Sequence, residues 1–309
     1  MHSLSGSSLG AEGAAALAPA LAANGALTSL NLRNNKLCGL DIYGNGTYTA
    51  EGIIAISDAM RVNGSLTSID LSENQLCGLN SEGKGIYTTV GITAIADALR
   101  VNGGLMSIDL SRNQLCGLWA NYRGHQGTYT AEGITAIADA LRVNGGLTKM
   151  SLACNFLGEE GTKAICEALE QNTTLKELNI SGEDDSNIGG SAGAKHVAKM
   201  LGVNGSLTSL NLSSNHFGAK GAAALAPALA ANGSLTSIDL SGNLLCGVWT
   251  EFREPHGTYT AKGIAAIAEA LRVNGALTSL NLSCNHIGAK GAAALAPALA
   301  ANSALTKME

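Results

Sequence analysis

At 309 residues the chain exceeds one ordinary globular core, yet only 14% of it is charged and 46% is hydrophobic, which excludes a disordered polymer. A net charge of −5 argues against a nucleic-acid binder, whose surface needs a basic stripe, and no apolar run reaches the roughly 20 residues of a membrane helix. Seven cysteines, an odd number, and a start lacking the basic and apolar segments of a secretory signal point to reduced thiols in a cytoplasmic, intracellular compartment.

Aromatic residues make up 4% and glycines number 39, so the core must consist of many small, similar layers. Read in chain order, residues 1–26 are a degenerate repeat: MHSLSGSSL aligns with a strand half, and Gly10–Gly25 with a helix half. Full repeats open at Leu27 (LTSLNL), Leu66 (LTSIDL), Leu105 (LMSIDL), Leu147 (LTKMSL), Leu175 (LKELNI), Leu207 (LTSLNL), Leu235 (LTSIDL) and Leu277 (LTSLNL). A last strand start, LTKME, fills residues 305–309. The starts are spaced by 39, 39, 42, 28, 32, 28, 42 and 28 residues, which gives eight repeats on a 28-residue base within a single domain over 1–309.

Repeat six shows the base unit. Leu207, Leu210 and Leu212 alternate with Ser209, Asn211 and Ser213, as in a short strand with one buried face. Ala222, Leu225 and Leu229 then mark the stripe of a one-sided helix, and Asn232-Gly233 predicts a left-handed stop at its end. Neither face can be buried inside one repeat, so neighbours must stack as parallel strands joined by helical crossovers. An Asn follows most strands (Asn35, Asn74, Asn113, Asn155, Asn215, Asn243 and Asn285), which predicts a structural amide ladder; in repeat five either Glu183 or Asn187 takes the slot.

The pattern LxxLxLxxNxLGxxGAxxLAxxL resembles the ribonuclease-inhibitor-like class of leucine-rich repeats, which includes ribonuclease inhibitors, NOD-like receptor sensor domains and Ran GTPase-activating proteins. The resemblance covers nearly the whole chain. It implies an α/β solenoid, a horseshoe with parallel strands on the concave side and helices on the convex side. It specifies fold far better than function, because such scaffolds host many partners. Both ends lack a polar cap, which calls for a further repeat segment or for a partner that covers them.

Function should lie where repeats depart from their template. Concave positions are mostly Ser, Asn and Asp, poor material for binding hot spots, although Asp70 and Asp109 sit on adjacent repeats. Repeats one, two, three and seven instead carry inserts of 11 to 14 residues. Each begins at a cysteine (Cys38, Cys77, Cys116 and Cys246) and ends at a tyrosine (Tyr48, Tyr87, Tyr129 and Tyr259). The cysteines read as a buried column rather than zinc ligands, and the tyrosines as fillers. Repeat three places Trp119, Tyr122, Arg123 and His125 in its insert; repeat seven places Trp249, Phe252, Arg253 and His256. The two histidines are offset by one position. Aromatic and Arg side chains on loops held by a rigid scaffold suit recognition; folding back to seal the loop is the competing role for both tryptophans.

Repeats three and seven lie ~19 Å apart at one strand per repeat. Their inserts would flank a trough carrying the acidic loop Glu183, Asp184 and Asp185, suited to a basic or mixed partner element. The segment Gly78–Gly85 (GLNSEGKG) has the spacing of a phosphate loop but ends in Gly where Ser or Thr should hold a metal. No catalytic set stands out and no cofactor is expected. The chain reads as a non-catalytic protein-interaction scaffold or recognition module binding a protein partner, not nucleic acid or membrane. The alternatives are a GTPase-activating protein of the Ran type and a structural spacer.

Overall fold

Apolar spacing decides what each repeat buries. In repeat six Leu207, Leu210 and Leu212 are at most 1% exposed, while the alternating Ser209, Asn211 and Ser213 stay partly open. The computed structural model describes residues 2–41, 43, 45–80, 84–121, 124–183, 186–251 and 254–309; at 2, 120–121, 124–125, 249–251 and 254–255 it describes backbone alone. Two compact units emerge, Met1–Leu157 and Gly158–Glu309.

The first unit runs β1 (His2–Ser3), α1 (Gly10–Ala23), β2 (Ser29–Asn31), α2 (Glu51–Val62), β3 (Ser68–Asp70), α3 (Val90–Val101), β4 (Ser107–Asp109), β5 (Leu118–Asn121), β6 (Gly124–Gly127), α4 (Glu132–Val143) and β7 (Lys149–Ser151). The second runs α5 (Gly158–Leu169), β8 (Glu177–Asn179), α6 (Gly190–Leu201), β9 (Ser209–Asn211), α7 (Gly218–Ala231), β10 (Ser237–Asp239), β11 (Val248–Glu251), β12 (Glu254–Gly257), α8 (Lys262–Val273), β13 (Ser279–Asn281), α9 (Gly288–Ala301) and β14 (Lys307–Met308).

Strands β1, β2, β3, β4 and β7 form a parallel sheet in that order, and β8, β9, β10, β13 and β14 form another run of the same kind. Register pairs equivalent residues: Ser29 with Ser68, Ser68 with Ser107, and Asp70 with Asp109. The terminal strands β1 and β14 stand where the sequence places them. Consecutive helices within each unit pack side by side and close the layer behind the sheet with Ile53, Ile56 and Met60, then Ile92, Ile95 and Leu99, then Ile134, Ile137 and Leu141. The architecture is an α/β repeat solenoid.

The predicted amide ladder is present. The backbone N–H of Asn35 donates to Asn74 Oδ1, that of Asn74 to Asn113 Oδ1, and that of Asn113 to Asn155 Oδ1, at 2.8–2.9 Å. In repeat five Asn187 takes the slot, donating its backbone N–H to Asn215 Oδ1 at 2.9 Å, so Glu183 is not the ladder residue.

The left-handed stop at Asn232-Gly233 is not formed. Asn232 is extended (φ −73°, ψ 120°) because its side chain does the capping. Its Oδ1 accepts from the N–H groups of Ser234 and Leu235, and its Nδ2 donates to the carbonyls of Leu201 and Asn204 one repeat back. Asn63, Asn102, Asn144, Asn204, Asn274 and Asn302 do the same, forming a second ladder at the helix ends. Two amide columns, one at each end of the strands, satisfy the backbone where the chain turns.

Candidate functional site

The four inserts share a base. The N–H of Thr49 donates to the Cys38 carbonyl, and Thr88, Thr130 and Thr260 do the same to Cys77, Cys116 and Cys246, all at 2.9–3.0 Å. Each bond closes an insert into a loop standing on its repeat. The terminal tyrosine of each insert then reaches into the next repeat. Tyr48, Tyr87, Tyr129 and Tyr259 donate their hydroxyls to the carbonyls of Leu76, Leu115, Leu157 and Ile287 at 3.3, 2.8, 2.6 and 2.6 Å. The Tyr259 oxygen also accepts from the Gly291 N–H at 3.0 Å. A Cβ at Gly133 would stand 2.7 Å from the Leu115 oxygen and 3.1 Å from the Tyr87 hydroxyl, so glycine is what lets the strut close. These tyrosines are inter-repeat struts as well as fillers.

Cys38, Cys77, Cys116 and Cys246 are fully buried beneath the inserts. Burial pushes the Cys38 thiol up to about 12, against a weaker opposing hydrogen bond from Tyr48, and pushes Cys77 and Cys116 well up too. Such thiols stay protonated, unlike metal ligands or nucleophiles. Among the described residues no group of three or more His, Cys, Asp or Glu is placed to hold a metal.

Above this base the inserts diverge. In repeat one the Asp41 carboxylate accepts from the N–H groups of Tyr43 and Asn45 and from Asn45 Nδ2 at 2.9–3.0 Å, and the Asn45 amide holds it below its ordinary range. In repeat two Asn80 pairs with Lys84 in both directions, and Lys84 Nζ crosses to the Tyr43 carbonyl at 2.9 Å. The lysine of the phosphate-loop-like segment thus ties two inserts together. In repeats three and seven the inserts are hairpins, β5–β6 and β11–β12.

Trp119 pairs with Gln126, and Trp249 with His256, whereas His125 pairs with Ala120. The one-position offset therefore puts the two histidines at different places on their hairpins. Trp119 is half-buried, and its ring edge lies over Gly127, whose φ of +94° only glycine adopts freely. His256 and Glu183 are exposed. Tyr122, Arg123, Asp184, Asp185, Phe252 and Arg253 lie outside the described residues, and Trp249 and His125 are described in backbone only.

Two rim residues escaped the sequence reading: Tyr43 and Ile86, in the inserts of repeats one and two, are 60% and 84% exposed. The signal was a change of residue type: Glu82 stands at the position of Tyr43, and Thr47, Thr128 and Thr258 at that of Ile86. The sheet face is different. Asn31, Asp70, Asp109, Asn211, Asp239 and Asn281 each accept from the backbone N–H two residues on, which occupies their side chains locally. Burial raises the Asp109 carboxyl, opposed by hydrogen bonds from Ser111.

A family profile described as Leucine Rich repeat matches residues 203–226 and 276–296. No curated protein matches the chain. Among solved structures, the leucine-rich-repeat-containing protein LegL7 from Legionella pneumophila superposes with a TM-score of 0.53 at 21% identity, covering 91% of this chain and 82% of that one. Actin-binding site 2 of leiomodin-1 gives 0.40 at 25% identity, covering 53% of this chain and 86% of its own. The tropomodulin C-terminal domain from Caenorhabditis elegans gives 0.37 at 13%, covering 68% and 92%.

Proposed function

Since the chain is a leucine-rich-repeat protein of the ribonuclease-inhibitor type, we propose that it is a non-catalytic recognition module whose inserts grip a protein partner. One observation carries the proposal: on repeats one and two the inserts hold Tyr43 and Ile86 out to solvent, while Asn31, Asp70 and Asp109 on the sheet face accept from their own backbone. Large apolar side chains on loops anchored by a shared hydrogen-bonded base are preorganised contacts, which lose little freedom on binding.

The contact set we assign is Tyr43 and Ile86 with Trp119, Tyr122, Arg123 and His125 in one group, Trp249, Phe252, Arg253 and His256 in another, and the acidic residues Glu183, Asp184 and Asp185. We read the two units as one repeat domain. The seven free cysteines support a reducing, cytoplasmic setting, and no described helix is long and apolar enough to cross a membrane.

The test is a comparative capture from native lysate. It uses the wild-type chain and a Tyr43→Ser/Ile86→Ser/Trp119→Ser/Trp249→Ser variant with unchanged circular dichroism and melting temperature. A protein retained by the wild type and lost by the variant is the expected result. Equal retention by both would move recognition away from the inserts and refute the reading.

A further inference from the structure

Eight Asn-Gly steps occur in the chain, at Asn24, Asn45, Asn63, Asn102, Asn144, Asn204, Asn232 and Asn274. This dipeptide is chemically labile, since the unhindered glycine nitrogen can attack the asparagine side chain. The reaction needs the Asn Cγ to rotate onto the following backbone nitrogen, so it is opposed where hydrogen bonds hold both atoms of a buried side-chain amide, and little by exposed bonds for which water substitutes.

Six of the eight steps belong to the second ladder and are tied at both amide atoms. Asn102 shows the arrangement: Nδ2 donates to the carbonyls of Met60 and Asn63 at 2.5 and 3.1 Å, and Oδ1 accepts from Gly104 and Leu105 at 2.9 and 2.7 Å. Asn63, Asn144, Asn204, Asn232 and Asn274 repeat it, and all six are buried.

The other two differ. Asn24 is exposed; its Oδ1 accepts from Ala26 and Leu27, but its Nδ2 has no partner among the described residues. Asn45 is exposed on the first insert, its amide held among the described residues by Asp41 Oδ2 alone, at 3.0 Å, and Gly46 follows at φ +109°.

We propose that Asn24 and Asn45 are sites of spontaneous deamidation, and that conversion of Asn45 loosens the first insert. The Gly nitrogen bonds to the Asn Cγ as ammonia leaves, closing a five-membered succinimide. Water then opens the ring at either carbonyl to give aspartate or isoaspartate, so the net change is one amide and one water to one carboxylate and ammonium. At Asn45 the new carboxylate replaces the donor facing Asp41. Two like charges then share the turn that Asp41 holds through the Tyr43 and Asn45 N–H groups, and the exposed Tyr43 is released with it. The modification stands apart from the recognition reading; only its effect on partner binding rests on it.

The folded full-length chain is incubated at mildly alkaline pH in ¹⁸O-labelled water and mapped by peptide mass spectrometry, with the same chain in urea as reference. Label is expected at Asn24 and Asn45 at rates near those in urea, and at least about tenfold more slowly than in urea at the six ladder positions, where extra hydrogen bonds must break first. Ladder positions labelling as fast as Asn24 and Asn45, or Asn45 protected like the ladder, would overturn the assignment. An Asn45→Asp variant gives the second readout. Faster hydrogen exchange across residues 43–46 than in wild type supports the loosening; unchanged exchange sinks it. An Asn24→Asp variant, remote in sequence, should leave that segment unaltered.

Discussion

Gln75 and Gln114 offer the sharpest quantitative test, because the expected sign runs against intuition for replacing a native polar residue. They occupy the slot after the ladder asparagine in repeats two and three and are 3% and 6% exposed. Each carries a side-chain oxygen with no donor among the described residues. A buried acceptor without a partner costs about 1–3 kcal/mol, whereas the one side-chain bond Gln75 makes among the described residues, from Nε2 to the Glu73 carbonyl at 3.2 Å, contributes about 0.5–1.5 kcal/mol. Leucine removes both terms.

The backbone there is left-handed, φ +54° at Gln75 and +52° at Gln114, which would normally tell against the change. Repeat seven answers the objection with Leu244 in the same slot at φ +57°. Gln75→Leu and Gln114→Leu should each stabilise by ~1 kcal/mol. The gain would be read as a higher urea midpoint with unchanged slope. His216→Leu is the control, since His216 holds the slot at φ +51° but is exposed; it should shift stability by less than ~0.5 kcal/mol. A loss of stability in the glutamine variants would mean that those oxygens do have donors in solution, and the reasoning would fail.

Three further predictions follow from the hydrogen-bond columns. Asn102→Ala strands two carbonyls and two N–H groups, three of the four bonds buried and one part-buried, and should cost ~3 kcal/mol by chemical denaturation, whereas Asn24→Ala, with two exposed bonds, should cost less than ~1 kcal/mol. Tyr87→Phe removes the donor to the Leu115 carbonyl and should cost about 1–2 kcal/mol; a neutral result would reduce the strut to a filler. Burial raises the Asp109 carboxyl above 3.8, so the folded chain binds that proton more tightly than the unfolded chain, and stability is lost as pH rises from 3.8 through the folded value. Asp109→Asn should therefore stabilise at neutral pH, with the gain fading as pH falls through that window; Asn31, Asn211 and Asn281 already make the same local bond from this slot. A gain independent of pH would assign the effect to something other than ionisation.

How far the sequence could be read depended on whether a residue's duty lay within its own repeat or in the next. Leu207, Leu210 and Leu212 face inward because of alternation inside one strand, and the alternation is visible in six residues. The first ladder was also legible, since an Asn between Leu positions has few roles other than a satisfied core amide. The second ladder was not, because Asn-Gly at a helix end has a ready local explanation in a left-handed stop. The contrary signal was Asn172-Thr173 and Asn302-Ser303, where the asparagine persists and the glycine does not.

The tyrosine struts were hidden for a related reason. Tyr87 meets Leu115 and Gly133, 28 and 46 residues onward, and only the stacking of repeats brings that set together. For the inserts the difficulty is deeper. Repetition explains every copied residue by the demands of stacking, so recognition has to rest on residues without copies. Trp119 and Trp249 looked unique against the chain as a whole, yet each is the other's copy, and Trp119 lies against its own hairpin. Tyr43 and Ile86 are not repeated in type at the equivalent positions, Glu82 and Thr47, and they are the exposed large apolar residues in the described parts of those two inserts. In a repeat protein, absence of a copy together with exposure is a stronger pointer to binding than rarity of residue type.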